Sequence, residues 1–317
     1  MKKILFAAVA LISLAACSHP VQKVNARHVP ERMDDFVFEN DYYCFRVYGE
    51  ALEGNPTSPG FDFWAKNCDT LVAEGRYALY ASGSDEAYHH DSGNGKDCYK
   101  VAVSLGAGAS SPFIDGSIRY PATNYRSYEV LSLKPSQAVF VLHYPAWETC
   151  GYTVSLDKKF TVTAGERFCK VEDTYTFTGP SETLVIAAGI NRHKPEDLLD
   201  EYIGTDRVAI WERASDQSFE PEDGLIGVAV IVPGAGCGDV TSVCKGCDGN
   251  GMCAESCDGC IGICPGCPDS GATVACGHSL VLKPVRSGEP LTYYFSAVWS
   301  KYDIPTAEDW FETVAAM

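Results

Sequence analysis

Positive charge is scarce in this chain: its 317 residues carry 25 Lys and Arg against 42 Asp and Glu, a formal net charge of −17 at pH 7. A surface of that sign offers no basic stripe to nucleic acid or to an anionic membrane, so neither is expected as a partner. Long apolar runs are missing too. The one of note, residues 4–14, is too short to span a bilayer. Strands do not alternate with long helical periods, which argues against a parallel α/β fold. No Gly-x-Ser-x-Gly elbow occurs, and Gly106-Ala107-Gly108 lacks the third glycine and the following helix of a dinucleotide fingerprint.

What is present begins with an address. Lys2 and Lys3 precede the apolar run, and Leu14-Ala15-Ala16-Cys17 ends it. This resembles the lipobox of bacterial lipoproteins, in which the chain is cut before the cysteine and the cysteine takes the lipid. An ordinary cleaved signal peptide with a chance cysteine is the plainer alternative. Ser18, where an aspartate would retain the protein inside, implies the outer membrane, facing the periplasm or the cell surface. The expected organisation is a signal peptide over 1–16, a lipidated tether over 17–34, a β domain over 35–317 and a Cys-rich insertion over 237–276. The membrane is expected to be met through the lipid alone. Loss of Lys2 and Lys3 takes the net charge from −17 to about −19.

Glycine, tyrosine and threonine are plentiful, and apolar residues alternate in short runs. Residues 35–49 read as two strands with a turn at Asn40-Asp41, and 71–80 as a short helix. Residues 101–105 alternate as a strand would. Strands are expected at 127–133, 138–144, 153–156, 159–163, 168–172, 174–177, 184–190, 208–212, 225–232, 279–282 and 291–299, with a turn at Asp157-Lys158. Thr306 with Asp309 after Pro305 makes a capping arrangement for a C-terminal helix. The pattern predicts a mainly β protein: a large antiparallel β-sandwich with few short helices.

Cysteine clusters at Cys244-x-x-Cys247 and Cys257-x-x-Cys260 within the insertion. Repeated C-x-x-C spacing is a zinc pattern, whereas an exported chain favours disulfides. Disulfides are the preferred reading. With nine cysteines between Cys237 and Cys276, an odd number, full pairing needs a bond to the sheet domain.

Chemistry concentrates in Tyr88-His89-His90-Asp91-Ser92-Gly93-Asn94-Gly95-Lys96-Asp97-Cys98-Tyr99-Lys100-Val101. Two imidazoles beside carboxylates, a phenol and an ammonium suit proton transfer near neutral pH. A pair of loop histidines making ordinary hydrogen bonds is the bland alternative. Asp91, Asn94 and Asp97 loosely suggest a calcium loop, but Gly93 stands where an oxygen ligand belongs. No cofactor is expected, with calcium or zinc as lesser alternatives. Arg119, Arg126, Arg192 and His193 are candidate binders of an anionic sugar, and Trp64 could stack on a sugar ring, although core packing is the commoner fate of a tryptophan.

The same stretch, with Ser104-Leu105-Gly106-Ala107-Gly108, Ile210-Trp211-Glu212 and residues 293–300, resembles a family of secreted bacterial proteins known as a domain of unknown function. That resemblance covers most of 35–317 except the insertion. It implies association with polysaccharide utilisation and a β-sandwich like those of galactose mutarotases and several polysaccharide lyases. It also implies, through one relative, dehydration of unsaturated uronic acids. Ser92 and Asn94 depart from the histidine and glutamate common there, which puts activity in question.

The resulting expectation is an enzyme on acidic oligosaccharides, a carbon–oxygen lyase of the dehydratase kind. His89 or His90 would be the base, Tyr99 or the other histidine the acid, and Asp91, Asp97 and Lys100 the supporting groups. A non-catalytic carbohydrate-binding lipoprotein and a mutarotase-like epimerase are the alternatives.

Overall fold

The computed structural model describes residues 21–53, 60–83, 88–101, 103–193, 197–214, 222–235, 240–243 (backbone alone) and 277–317. The chain opens with a meander, β1 (Asn25–Val29), β2 (Asp35–Glu39), β3 (Cys44–Val47), β4 (Phe61–Lys66) and β5 (Gly95–Asp97), with helix α1 (Ala73–Ala81) between the last two. Next come β6 (Ala107–Ile114), β7 (Ser117–Ile118), β8 (Ser127–Lys134), β9 (Gln137–Thr149), β10 (Tyr152–Thr163), β11 (Cys169–Thr178) and β12 (Thr183–Asn191). The chain closes with β13 (Leu198–Ile203), β14 (Arg207–Arg213), β15 (Leu225–Ile231), β16 (Val240–Val243), β17 (His278–Arg286), β18 (Pro290–Trp299) and helix α2 (Ala307–Ala316).

Three sheets result. The meander is one, in order β1-β2-β3-β4-β5; the largest runs β13-β14-β15-β18-β11-β10-β9-β8; the third runs β16-β17-β12-β6-β7. Every pairing within them is antiparallel. The alternation sorts side chains between faces. One core gathers Phe38, Phe45 and Phe61 from the meander, Phe140, Phe160 and Phe295 from the large sheet, and Ile186 and Leu280 from the third. The rings of Phe38, Phe140, Phe160 and Phe295 touch one another. The protein is thus a large antiparallel β-sandwich. The opposite face of the large sheet is covered by α2 through Trp310 and Val314, packed on Trp211 and Ala229. Thr306 caps that helix by accepting the Asp309 N–H at 3.2 Å.

Several segments differ from expectation. Asn25–Val29 is a strand rather than tether, because Ala26 and Val29 are buried while Arg27 turns outward to Glu31 and Glu74. Asp157-Lys158 is not a turn. It lies mid-strand in β10, where Lys158 enters the core and meets Asp173 at 2.5 Å, a residue expected to separate two strands. A buried ion pair therefore mimics turn composition. Val101 and residues 103–105 make no strand; the side chain of Asn191 donates to the carbonyls of Lys100 and Val101, and β6 begins at Ala107. Within the insertion, β16 pairs with β17, while the zinc candidates Cys244, Cys247, Cys257 and Cys260 lie outside the described residues. The described cysteines Cys44, Cys68, Cys98, Cys150 and Cys169 are all free thiols.

Gly106 joins two sheets. It bridges to Phe61 of β4, its carbonyl accepts the Asn191 N–H, and its φ is +58°. A Cβ there would stand 2.2 Å from the Phe61 oxygen. Gly106→Ala is expected to cost roughly 2–6 kcal/mol, strain and overpacking together, read as a lower urea midpoint. Unchanged stability would refute this role.

Candidate functional site

The meander is buried on both faces, and the face turned from the common core is lined with charge. Period-2 geometry puts Asp35 and Glu39 of β2, Arg46 of β3, Asp62 and Lys66 of β4, and Asp97 of β5 on that side. Register completes the design: Arg46 lies directly opposite Asp62, and Trp64 opposite Asp97. Helix α1 closes over them, with Glu39 accepting the N–H groups of Val72 and Ala73 at 2.8 and 3.0 Å as its cap.

Arg46 is the hub. Its guanidinium bonds Asp62, meets Asp97 at 2.9 Å and approaches Asp35 at 3.6 Å. The rings of Trp64, Tyr88 and Tyr48 surround it at 4.8, 5.1 and 5.4 Å. Burial pushes Asp35 and Asp62 up to about 6, against the pull of Arg46, and raises Asp97 as well. Asp35 and Asp62 therefore sit close to exchanging protons at mildly acidic pH.

His89 enters from the loop above. The Asp97 N–H bonds the Tyr88 carbonyl and closes that loop. The His89 ring rests 4.7 Å from Tyr88, and its Nδ1 lies 3.8 Å from Asp97. Burial, and then the charge of Arg46, hold its imidazole below the usual histidine range. It is neutral at pH 7 and able to accept a proton, and its side chain keeps 31% exposure.

Beyond Asp97, Tyr99 carries the site to a second pair. Its ring packs edge-on against His193 at 5.1 Å. Its hydroxyl is buried with no hydrogen-bond partner among the described residues. Burial, with Glu212, Asp62 and Tyr48 nearby, keeps this phenol well above its ordinary range, so it stays protonated. The His193 ring lies between oxygens, Nδ1 at 2.7 Å from Glu212 and Nε2 at 2.6 Å from the Lys100 carbonyl. The Asn191 amide nitrogen also lies 3.2 Å from Nε2, so Glu212, a carbonyl and an amide together fix the ring's orientation.

Of the residues singled out from sequence, His89, Asp97, Tyr99 and His193 thus belong to one continuous polar seam. His90 and Asp91 are exposed, and Asp91 accepts the Gly93 and Gly95 N–H groups at 2.8 and 2.9 Å, shaping the turn. Asp91 and Asp97 therefore face different partners, which leaves the calcium reading without a shared centre. Lys100 contributes its carbonyl. Arg192 donates to Ser279 at 2.9 Å and bonds Glu201. Arg126 bonds Glu53 and, with His28, Asp34, Tyr125 and Tyr128, lines a separate cleft of about 360 Å³. Arg119 follows β7, its backbone tied to Pro112 and Ser111. Trp64 is fully buried between Tyr77 and Tyr88, so it packs the core rather than offering a sugar platform.

Sequence reasoning passed over Arg46, Asp62, Glu212 and His278. The available signal was a charge inside an otherwise apolar strand, as in Phe45-Arg46-Val47 and Phe61-Asp62-Phe63. His278 is buried and accepts the Leu105 N–H at 3.2 Å. Burial, then the charges of Arg192 and His193, lower it to about 3. An unfolded histidine protonates near its usual value of about 6.5, so unfolding takes up a proton and stability falls as pH drops below that value. Between pH 6.5 and 4 this removes about 3 kcal/mol. His278→Asn should be less stable at pH 7 yet show a flatter acid limb in urea titrations. An acid limb as steep as the parent's would remove His278 as its cause.

The profile of a domain of unknown function (DUF4861) matches residues 14–317. The profile of the prokaryotic membrane lipoprotein lipid attachment site matches residues 1–18. The chain is also similar to Uncharacterized protein P7 of Formosa agariphila, 29% identical over 217 residues, covering 66% of this chain and 51% of that protein. The chain therefore spans about half the length of that relative.

Proposed function

Since the chain belongs to the DUF4861 family, a domain of unknown function, and carries a lipoprotein attachment site, we propose that it is an outer-membrane lipoprotein catalysing acid–base elimination of water from an acidic oligosaccharide. The observation that carries this is the Tyr99 hydroxyl, protonated, buried and unpartnered among the described residues, beside the His193–Glu212 pair and on the same run as neutral His89. Groups whose environments drive their proton affinities apart divide naturally into base and acid. His89 takes the proton from a ring carbon beside the one that bears the departing hydroxyl, and the freed electron pair forms the new carbon–carbon double bond. Tyr99, with the His193–Glu212 pair behind it, protonates the departing hydroxyl, which leaves as water. Asp97 and Arg46 set the field around His89.

The test is mass spectrometry of lyase-digested acidic polysaccharides incubated with the lipid-free protein. A product lighter by one water is expected. Unchanged masses, with one digest retained on the protein, would replace this reading with that of a carbohydrate-binding lipoprotein. Ser92 and Asn94 favour that second reading, because they stand where the related motif commonly carries histidine and glutamate.

A further inference from the structure

We infer that the β8 edge of the large sheet lies against the lipid bilayer, so the protein meets the membrane through a protein surface as well as through its lipid. Among the described residues, strand β8 stands at the end of the eight-stranded sheet and pairs only with β9. It exposes Tyr128, Val130, Leu131 and Leu133, the last two at 50% each. An exposed apolar edge strand is normally blunted by charge, proline or a covering element, because it invites association.

The chain itself says what covers this one. The first described residues are pinned to the turn that ends β8: the Lys23 N–H donates to the Pro135 carbonyl at 2.8 Å, and the Gln22 amide reaches the Lys134 carbonyl at 3.3 Å. Val21, immediately before them, is 78% exposed. The attachment site matches residues 1–18 and contains one cysteine, Cys17. The four residues from Cys17 to Val21 reach at most about 14 Å when fully extended. The acyl chains at Cys17 are thereby held within a short radius of Leu131 and Leu133. The net charge of −17 disfavours attraction to anionic headgroups, which leaves apolar insertion as the force at this edge. The outward backbone groups of an edge strand need water, so the strand lies at headgroup depth and only its side chains dip toward the acyl region.

The experiment uses the lipidated protein reconstituted into phosphatidylcholine vesicles containing bromine-labelled acyl chains. All five native tryptophans, Trp64, Trp147, Trp211, Trp299 and Trp310, are buried. A Leu131→Trp substitution therefore adds an exposed reporter. Ile203→Trp, on β13 at the opposite edge of the same sheet, provides an equally exposed control. The expected result is a blue shift and loss of emission with Leu131→Trp and no change with Ile203→Trp. Three outcomes overturn the proposal: Leu131→Trp unquenched, quenching equal at both edges, or a chain that vesicles do not retain. In the first case, a blue shift without bromine quenching assigns the edge to a second copy of the chain.

Discussion

Arg46→Met should unfold the meander sheet at neutral pH and spare it under mild acid. The substitution keeps an apolar stem but leaves Asp35, Asp62 and Asp97 facing one another without their shared cation. Removing one partner of a buried ion pair costs about 3–5 kcal/mol, a large part of a domain's whole stability. The pH dependence separates charge from packing. With Arg46 in place, Asp35 and Asp62 already titrate at about 6, above their unfolded values. A raised carboxyl contributes stability that is fully present below its unfolded pKa and lost as pH rises through the folded one. Without the guanidinium the folded values climb further, so the loss reaches across neutrality. Urea midpoints at pH 5 and pH 7.5 should show a deficit at the higher pH that shrinks markedly at the lower. An equal deficit at both would mean that Arg46 acts by filling space.

His89→Ala is expected to lower turnover on the true substrate by about 10²–10⁴-fold, the range for a lost general base, while circular dichroism and urea midpoint stay near those of the parent. His90→Ala should leave turnover nearly intact, since that side chain is exposed at the turn. Because burial and Arg46 depress His89, the acid limb of the rate profile should fall below the usual histidine range. Full turnover in His89→Ala would end the assignment of the base.

The elements most legible in the sequence were those whose burial alternates cleanly. β9 and the C-terminal helix announced themselves through apolar residues at fixed period and through the Thr306 cap. What stayed hidden was charge with a partner distant in the chain. Lys158 reads as turn material until Asp173 is placed opposite it on β11, and Arg46 reads as surface until Asp62 faces it on β4. Composition registers the charge and is silent on the partner. The site followed the same division. Residues 88–101 could be found because glycines and titratable groups crowd together, and His89, Asp97 and Tyr99 came from there. His193 was visible at the end of an apolar strand, but Glu212 and its bond to His193 depended on β14 lying beside β13, and β13 itself, with no buried residue, gave no alternation to read.

The order of strands also governs when the protein can exist. β18 sits between β11 and β15 at the middle of the large sheet, yet it comes last in chain order among the described strands. Its pairing joins residues as distant as Cys169 and Phe295, whereas the meander is assembled from neighbours in sequence. Loop closure over such spans is slow and must precede the stabilisation it brings. A nascent chain not yet extended through Pro290–Trp299 therefore holds two half-sheets with open edges, and it needs protection from association until that strand arrives. Quality control is built into the topology: any truncation before Pro290 removes the one strand that makes the two halves a single sheet.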